Sequence, residues 1–347
     1  MTDLMYYEFY KTFGRWKWLI VIAILLVKAV FTYNSLDVKA NFSIPIYQEY
    51  IAQLSNMSQS QAEQFILTEN ERISSIILAR YDMESDYLSG KITLDDYKSY
   101  MKTYYEAESK SSAFNAIYQK YEQFQNIEPK NKVYFYDLEW YTFGKYLSLD
   151  FFIIFLLMIF GIPIFCREHS CNTHCLNMVS RNGRRKLHNT KLVLFLIIGA
   201  VFGIAVYSLD FIVYGIRYGY TNAQMPIQAV MGYSPYADDV SIRRLFISMA
   251  IAKILWSICL SLMIAAVSAL LKNNIISIIF CAVLLFLPMQ ILKLNNNAPD
   301  WLYNISIATG LQGTKESVNI IAPALNVLAW IAINISVMLL SYPVKRK

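Results

Sequence analysis

Residues 147–192 read LSLDFFIIFLLMIFGIPIFCREHSCNTHCLNMVSRNGRRKLHNTKL. The stretch opens with an apolar run long enough to cross a bilayer, since a transmembrane helix needs roughly 20 such residues. It then turns basic: Arg167, Arg181, Arg184, Arg185, Lys186 and Lys191 stand against one acid, Glu168. A second apolar run begins at once. A short, basic loop between two apolar runs is the signature of a cytoplasmic turn in a multi-span membrane protein.

Further runs of the same kind lie on either side. Together they place spans at 16–34, 147–166, 191–213, 245–271, 274–292 and 319–342. A lipid-exposed span of this composition has to be helical to satisfy its own backbone. Aromatic residues cluster near the span ends, at Trp16 and Trp18, Trp140 and Tyr141, Tyr214 and Tyr218, and Trp301 and Tyr303, as an interfacial belt requires. The fold class expected is an all-α membrane protein of six transmembrane helices.

Composition agrees. Of 347 residues, 56% are hydrophobic and only 16% charged, whereas soluble domains carry about 25% charged residues. A mostly soluble or mostly disordered chain is excluded on these figures. The net charge of +6 is no nucleic-acid footprint, because the charges are sorted along the chain. Residues 1–17 and the tail 343–347 are basic, as is the loop 167–190. Residues 34–146 instead hold 11 basic and 16 acidic side chains. Both termini and the basic loop are therefore expected inside, with 34–146 outside. Lys28 interrupts the first run and the sequence starts at Met1, so that run is read as a retained helix rather than a signal peptide. The five cysteines all avoid the expected outer segments, which favours a bacterial plasma membrane over a eukaryotic cell surface.

Residues 1–15 place Met5, Tyr6, Phe9, Tyr10 and Phe13 at helical spacing, as in an amphipathic helix lying in the inner interface. In 34–146, Ser58 and Thr93 are N-cap candidates for two long helices separated by Ser89-Gly90, a pattern that predicts an antiparallel hairpin. Glu108–Ser112 interrupts the second apolar stripe, and Val133–Tyr136 reads as extended. Residues 214–244, with Pro226 and Pro235, are expected as an outer loop, partly re-entrant; 293–318 forms a second outer cap.

No phosphate-binding loop, zinc-protease helix or nucleophile elbow is present, so ATP hydrolysis by this chain alone is excluded. His169, His174 and His188 share the inner loop with Cys166, Cys171 and Cys175, but the spacing matches no standard zinc site, and reduced thiols are the reading. No metal and no cofactor is assigned to the chain. Four charges fall within or at the ends of spans: Lys28, Asp150, Asp210 and Lys253. Such groups usually face a bundle interior or a water-filled path. Lys28 is near enough to a span end to snorkel. Lys253, deepest in its span, is expected to pair with Asp210 or Asp150 and to line a translocation path or subunit seam.

The string Phe165–Leu192 resembles the first cytoplasmic loop of six-span permeases of bacterial ABC exporters of the second exporter class. Glu168 matches that pattern's acid, Thr173 its threonine, Gly183-Arg184 its Gly-Arg and Lys191 its lysine; Asn172 stands where the pattern has Gly. Met225-Pro226-Ile227-Gln228 and Tyr233-Ser234-Pro235-Tyr236 are similar to Firmicute members. The resemblance implies a coupling helix docking on a separate ATPase subunit that binds ATP and Mg. Glu168, Asn172, Thr173, Met178, Arg181, Gly183, Arg184 and Arg185 would be the coupling residues. It also implies a second permease copy, contact with membrane lipids, and an amphipathic peptide (toxin or bacteriocin) as substrate, with no enzymatic activity in this chain. Two alternatives stay open: a lipid-extracting or mechanotransmitting permease, and a receptor or scaffold binding a partner through the outer hairpin. The inner loop of about 25 residues (167–191) is short for a receptor's output domain.

Overall fold

The computed structural model describes residues 2–147, 150–171, 183–233, 240–294, 306–312 and 321–340. Among them the chain is all-helical, without a strand; the sole β-type pairing is an isolated bridge between Pro226 and Ser241. The helices are α1 (Thr2–Phe13), α2 (Arg15–Ser35), α3 (Ile44–Ser55), α4 (Gln59–Leu78), α5 (Arg80–Leu88), α6 (Leu94–Phe124), α7 (Leu138–Tyr146), α8 (Phe151–Ser170), α9 (Gly183–Tyr218), α10 (Ile242–Leu271), α11 (Asn274–Leu294), α12 (Ile307–Gln312) and α13 (Ile321–Leu340). They form two compact units. The first comprises Met1–Leu36, Gly144–Tyr220 and Leu245–Lys347; the second, Asp37–Phe143 and Thr221–Arg244.

The first unit contains the apolar helices. By length and composition four stretches are apolar enough to cross a membrane: Trp16–Ser35, Lys186–Tyr218, Ile242–Leu271, and Leu138–Glu168, which comprises α7 and α8 and begins in the second unit. The fifth and sixth expected spans appear as shorter apolar segments, Asn274–Pro288 and Leu325–Val337. Helix α9 starts at Gly183, not 191, so the basic stretch 184–191 is wound into the same helix as the span that follows.

Helices α9 and α10 meet through small residues. Ser257 Oγ donates to the Gly199 carbonyl (2.8 Å) and Ser261 Oγ to the Phe195 carbonyl (3.0 Å). A Cβ added at Gly199 would lie 2.4 Å from Ser261 Oγ and 2.9 Å from the Ile258 Cα. Gly199 and Gly203, four apart, thus face Ser257 and Ser261, also four apart. This is the close approach that small residues allow between membrane helices, with the hydroxyls satisfied on the opposite backbone.

Helix α1 ends at Gly14 and turns its charged side inward. Glu8 and Thr12 are buried and Phe13 stacks on Phe160 at 5.2 Å, while Tyr6, Tyr7 and Tyr10 are exposed. The aromatic stripe read from sequence is therefore divided: Phe13 joins the core and the tyrosines face out.

In the second unit α6 packs against α3, α4 and α5, and the first of the two long helices expected from sequence is divided at Ala79 into α4 and α5. Helix α3, opened by Pro45 in its first turn, packs with α6 alongside α4. The caps hold: Gln61 accepts from the Ser58 backbone N–H at 3.0 Å, and Thr93 Oγ1 accepts from the Asp96 N–H at 3.2 Å. Helix α6 runs unbroken through Glu108–Ser112. Ala107 and Ala113 continue its buried stripe, and Ser109 and Ser111 satisfy their hydroxyls on the carbonyls three residues back. Residues 132–137, of which Val133–Tyr136 were read as extended, form no regular element.

Residues 221–244 belong to this unit as well. The Gln123 side chain donates to the carbonyls of Gln228 (2.7 Å) and Val230 (3.1 Å) and accepts from the Gly232 N–H (3.0 Å). Trp140, placed by sequence in an interfacial belt, is instead buried here, its indole N–H on the Thr221 carbonyl at 2.8 Å. A fully buried ion pair, Lys120–Asp137 at 3.1 Å, also belongs to this unit. Asp137 also accepts from Tyr47 Oη and from the Met231 N–H, each at 2.9 Å. Burial pushes the Lys120 ammonium below its usual range and the Tyr47 phenol, next to Asp137, well above its own.

Candidate functional site

Two clusters of charge are buried in the first unit. In one, Lys28 of α2 is fully buried and pairs with Asp150, ahead of α8, and with Asp210 of α9 at 2.9 Å. Asp150 also caps α8 by accepting from the Phe152 N–H at 2.9 Å. Thr32, one turn after Lys28, donates to Asp210 at 3.1 Å and shares a hydrogen bond with Tyr146 Oη at 2.7 Å. Tyr146 Oη donates to Asp210 at 3.2 Å. Four helices and the start of α8 are thus tied at one point once Lys253 of α10 is included. Its ammonium donates to the Leu147 carbonyl at 2.7 Å, lies 5.6 Å from the Tyr207 ring, and feels both carboxylates.

This corrects the reading of Lys28, whose side chain does not snorkel. Residue 28 sits on the face of α2 turned toward α8 and α9, where two carboxylates await it, and a paired lysine there is better placed than one reaching out of the bundle. The four charges expected from sequence do converge. Lys28 pairs directly with both carboxylates, and Lys253, expected to pair with one of them, lies within their field. Two lysines and two aspartates make the set electrically balanced, as burial in low dielectric demands. Tyr207 Oη is buried beside them and has no hydrogen-bond partner among the described residues.

The second cluster brackets the basic loop. Glu168, near the end of α8, pairs with Lys191 of α9 at 2.7 Å and with Lys11 of α1 at 2.9 Å. Lys191 also donates to the Ile164 carbonyl (3.0 Å), and Lys11 lies 3.6 Å from Glu8. Burial pushes the Glu8 carboxyl above its usual range. The end of α8 is thus clamped to α9 about two turns past its start, and α1 is fastened to the clamp.

Of the coupling residues read from sequence, Glu168 is at this clamp and Gly183 opens α9. Arg184 and Arg185 follow in the first turn of α9, their side chains outside the described set. Asn172, Thr173, Met178 and Arg181 lie outside the described residues, as do His174 and Cys175. Among the described residues no three His, Cys, Asp or Glu side chains gather as a metal site.

Sequence reasoning did not find Thr32, Tyr146 and Tyr207 as members of the first cluster, or Lys11 and Glu8 as members of the second. Thr32 had a signal, one helical turn after Lys28 on the same face. Tyr146 had none, being one of 26 tyrosines. No protein-family model, no curated protein and no solved structure matches this chain.

Proposed function

We propose that this chain is the transmembrane subunit of an ATP-driven exporter, paired with a second permease and driven by separate ATPase subunits that bind ATP and Mg. Its spans number six, its termini and the 167–190 loop face the cytoplasm of a bacterial cell, and 34–146 lies outside. One observation carries the reading. Glu168 and Lys191, the acid and the lysine of the permease-like string, are buried against each other at 2.7 Å. Tying Glu168 of α8 to Lys191 of α9 and to Lys11 of α1 couples the three helices, so a force applied between α8 and α9 reaches all three together. The exposed apolar faces of α2, α11 and α13 suit lipid and a second permease copy. The substrate class proposed is an amphipathic peptide, supported by a separate helical unit of strongly aromatic composition.

The test is purification of the native complex and reconstitution in lipid. An ATPase subunit should copurify, and its hydrolysis should rise with amphipathic peptides. Arg184→Glu should leave the chain folded while lowering ATPase copurification or severing stimulation from transport. A chain that purifies alone from native membranes, or an Arg184→Glu complex that assembles and transports normally, counts against the coupling role.

A further inference from the structure

We propose that the outward face of α5 is a docking surface for a cationic, amphipathic helical peptide. Helix α5 buries none of its residues. Tyr81 and Leu88, seven apart, fall on one helical face, and Leu78 at the end of α4 precedes Tyr81 by one turn. They are 79%, 78% and 76% exposed. Three large apolar side chains left this bare within eleven residues form a patch, not scattered single exposures. The inner face of the helix is already occupied, since Tyr87 stacks on Tyr97 of α6 at 4.7 Å and Met83 is half-buried. The patch is therefore a stripe on the free side of a fixed helix.

Charge decides the partner. Asp82 borders the stripe on one side and Glu84 on the other, both exposed. Residues 80–98 hold five acids against three bases, Arg80, Lys91 and Lys98, and the first two of these bases are engaged elsewhere. Arg80 donates to Tyr104 Oη at 3.0 Å with its guanidinium over that ring, and Lys91 pairs with Asp86 at 2.7 Å. Asp95 and Asp96 open α6 beside it and add to the negative field. An apolar stripe with carboxylates on both flanks is the complement of a helix whose apolar stripe is flanked by Lys or Arg. An anionic partner would be repelled.

The assignment rests on the peptide-transport reading above only for what the bound peptide is for. The experiment uses the full chain in detergent and a labelled amphipathic helix of Leu and Lys, with a Leu and Glu helix as counterpart. The cationic helix should bind and the acidic one should not. Tyr81→Ser with Leu88→Ser should weaken binding about tenfold or more, as should Asp82→Asn with Glu84→Gln, with unfolding temperatures unchanged because the residues are exposed. Binding that survives both double variants overturns the proposal. So does loss only in the charge variant, which reports a diffuse field. Concentration-dependent self-association abolished by Leu88→Ser overturns it too, by making a second copy of the chain the occupant. The two readings separate cleanly. ATPase copurification with α5-independent binding defeats the docking surface alone, and α5-dependent binding to a chain with no ATPase partner defeats the exporter alone.

Discussion

Lys28 shows how far a single charge can organise a bundle. Its ammonium, inaccessible to solvent, bridges the carboxylate that caps α8 and one within α9, and a hydroxyl one turn later reinforces the latter. Removing the cation alone strands two buried anions. Lys28→Met is therefore expected to cost about 3–5 kcal/mol, read as a fall in thermal stability of the detergent-solubilised chain. Adding Asp150→Asn and Asp210→Asn to Lys28→Met should recover most of the loss. If the single variant is as stable as wild type, the contacts are incidental. The charges themselves were plain in the sequence, because an ionisable residue in an apolar run draws attention at once. Which lysine would hold which aspartate was not, since that depends on the rotation of α2 about its axis, and its apolar residues are distributed too evenly to fix a face.

At the level of elements, the α9–α10 seam is set by what is missing from Gly199. A methyl group there meets a serine side chain that can rotate but also the backbone of Ile258, which cannot. Gly203 differs, as its nearest obstacle is Ser257 Oγ and the Ile254 Cα lies 3.4 Å away. Gly199→Ala should thus destabilise by about 1–3 kcal/mol, and more than Gly203→Ala. Ser257→Gly should relieve the Gly203 variant, while Ser261→Gly should relieve Gly199→Ala only in part. Equal effects at the two glycines in thermal unfolding would refute a backbone-limited seam. The spacing of Gly199 to Gly203 and of Ser257 to Ser261 was legible in the sequence. Their facing one another was not, because two small-residue pairs carry no information about which helix each will meet. Helix α3 was legible too, in Tyr47, Tyr50, Ile51 and Leu54, but its proximity to the first span concealed it. The unbroken run of α6 turned on Ala107 and Ala113, which a search for large apolar residues passes over.

At the level of the whole molecule, the second unit has a pH dependence of its own. Tyr47 is held protonated in the folded state by burial and by Asp137, above the ordinary phenol value of 10.0. A raised phenol contributes stability that is complete below about 10 and is lost as pH rises beyond it, because the unfolded chain ionises first. Lys120, held below its ordinary 10.5, acts in the opposite sense: the unfolded state binds the extra proton, so stability rises with pH until about 10.5. Above that point the phenol governs. Wild type should therefore lose stability more steeply above about 10.5 than Tyr47→Phe. At neutral pH the variant should be weaker by about 1–3 kcal/mol from the stranded carboxylate bond. Parallel slopes in alkaline melting curves would remove Tyr47 from this role. The all-helical class and the apolar helices could be read from hydrophobic runs alone. The assignment of 221–244 to the second unit could not, since it rests on amide contacts from Gln123 and Asn131 that follow no periodic pattern.

That discontinuous second unit bears on how the protein is made. Residues 37–143 leave the ribosome long before 221–244, with about 100 residues between the end of the first segment and the end of the second. At roughly 5–20 residues per second the wait is about 5–20 s. During that interval Asp137 lacks the amide of Met231, Gln123 lacks three backbone partners, and the Trp140 indole lacks the Thr221 carbonyl. Helices α3, α4 and α6 can collapse early, but the unit cannot close until 221–244 has been made. Biogenesis of the two units is thus ordered by the chain itself: α9, in the first unit, is made before the second is complete, and a chain ended before residue 221 would leave the second unit without these partners.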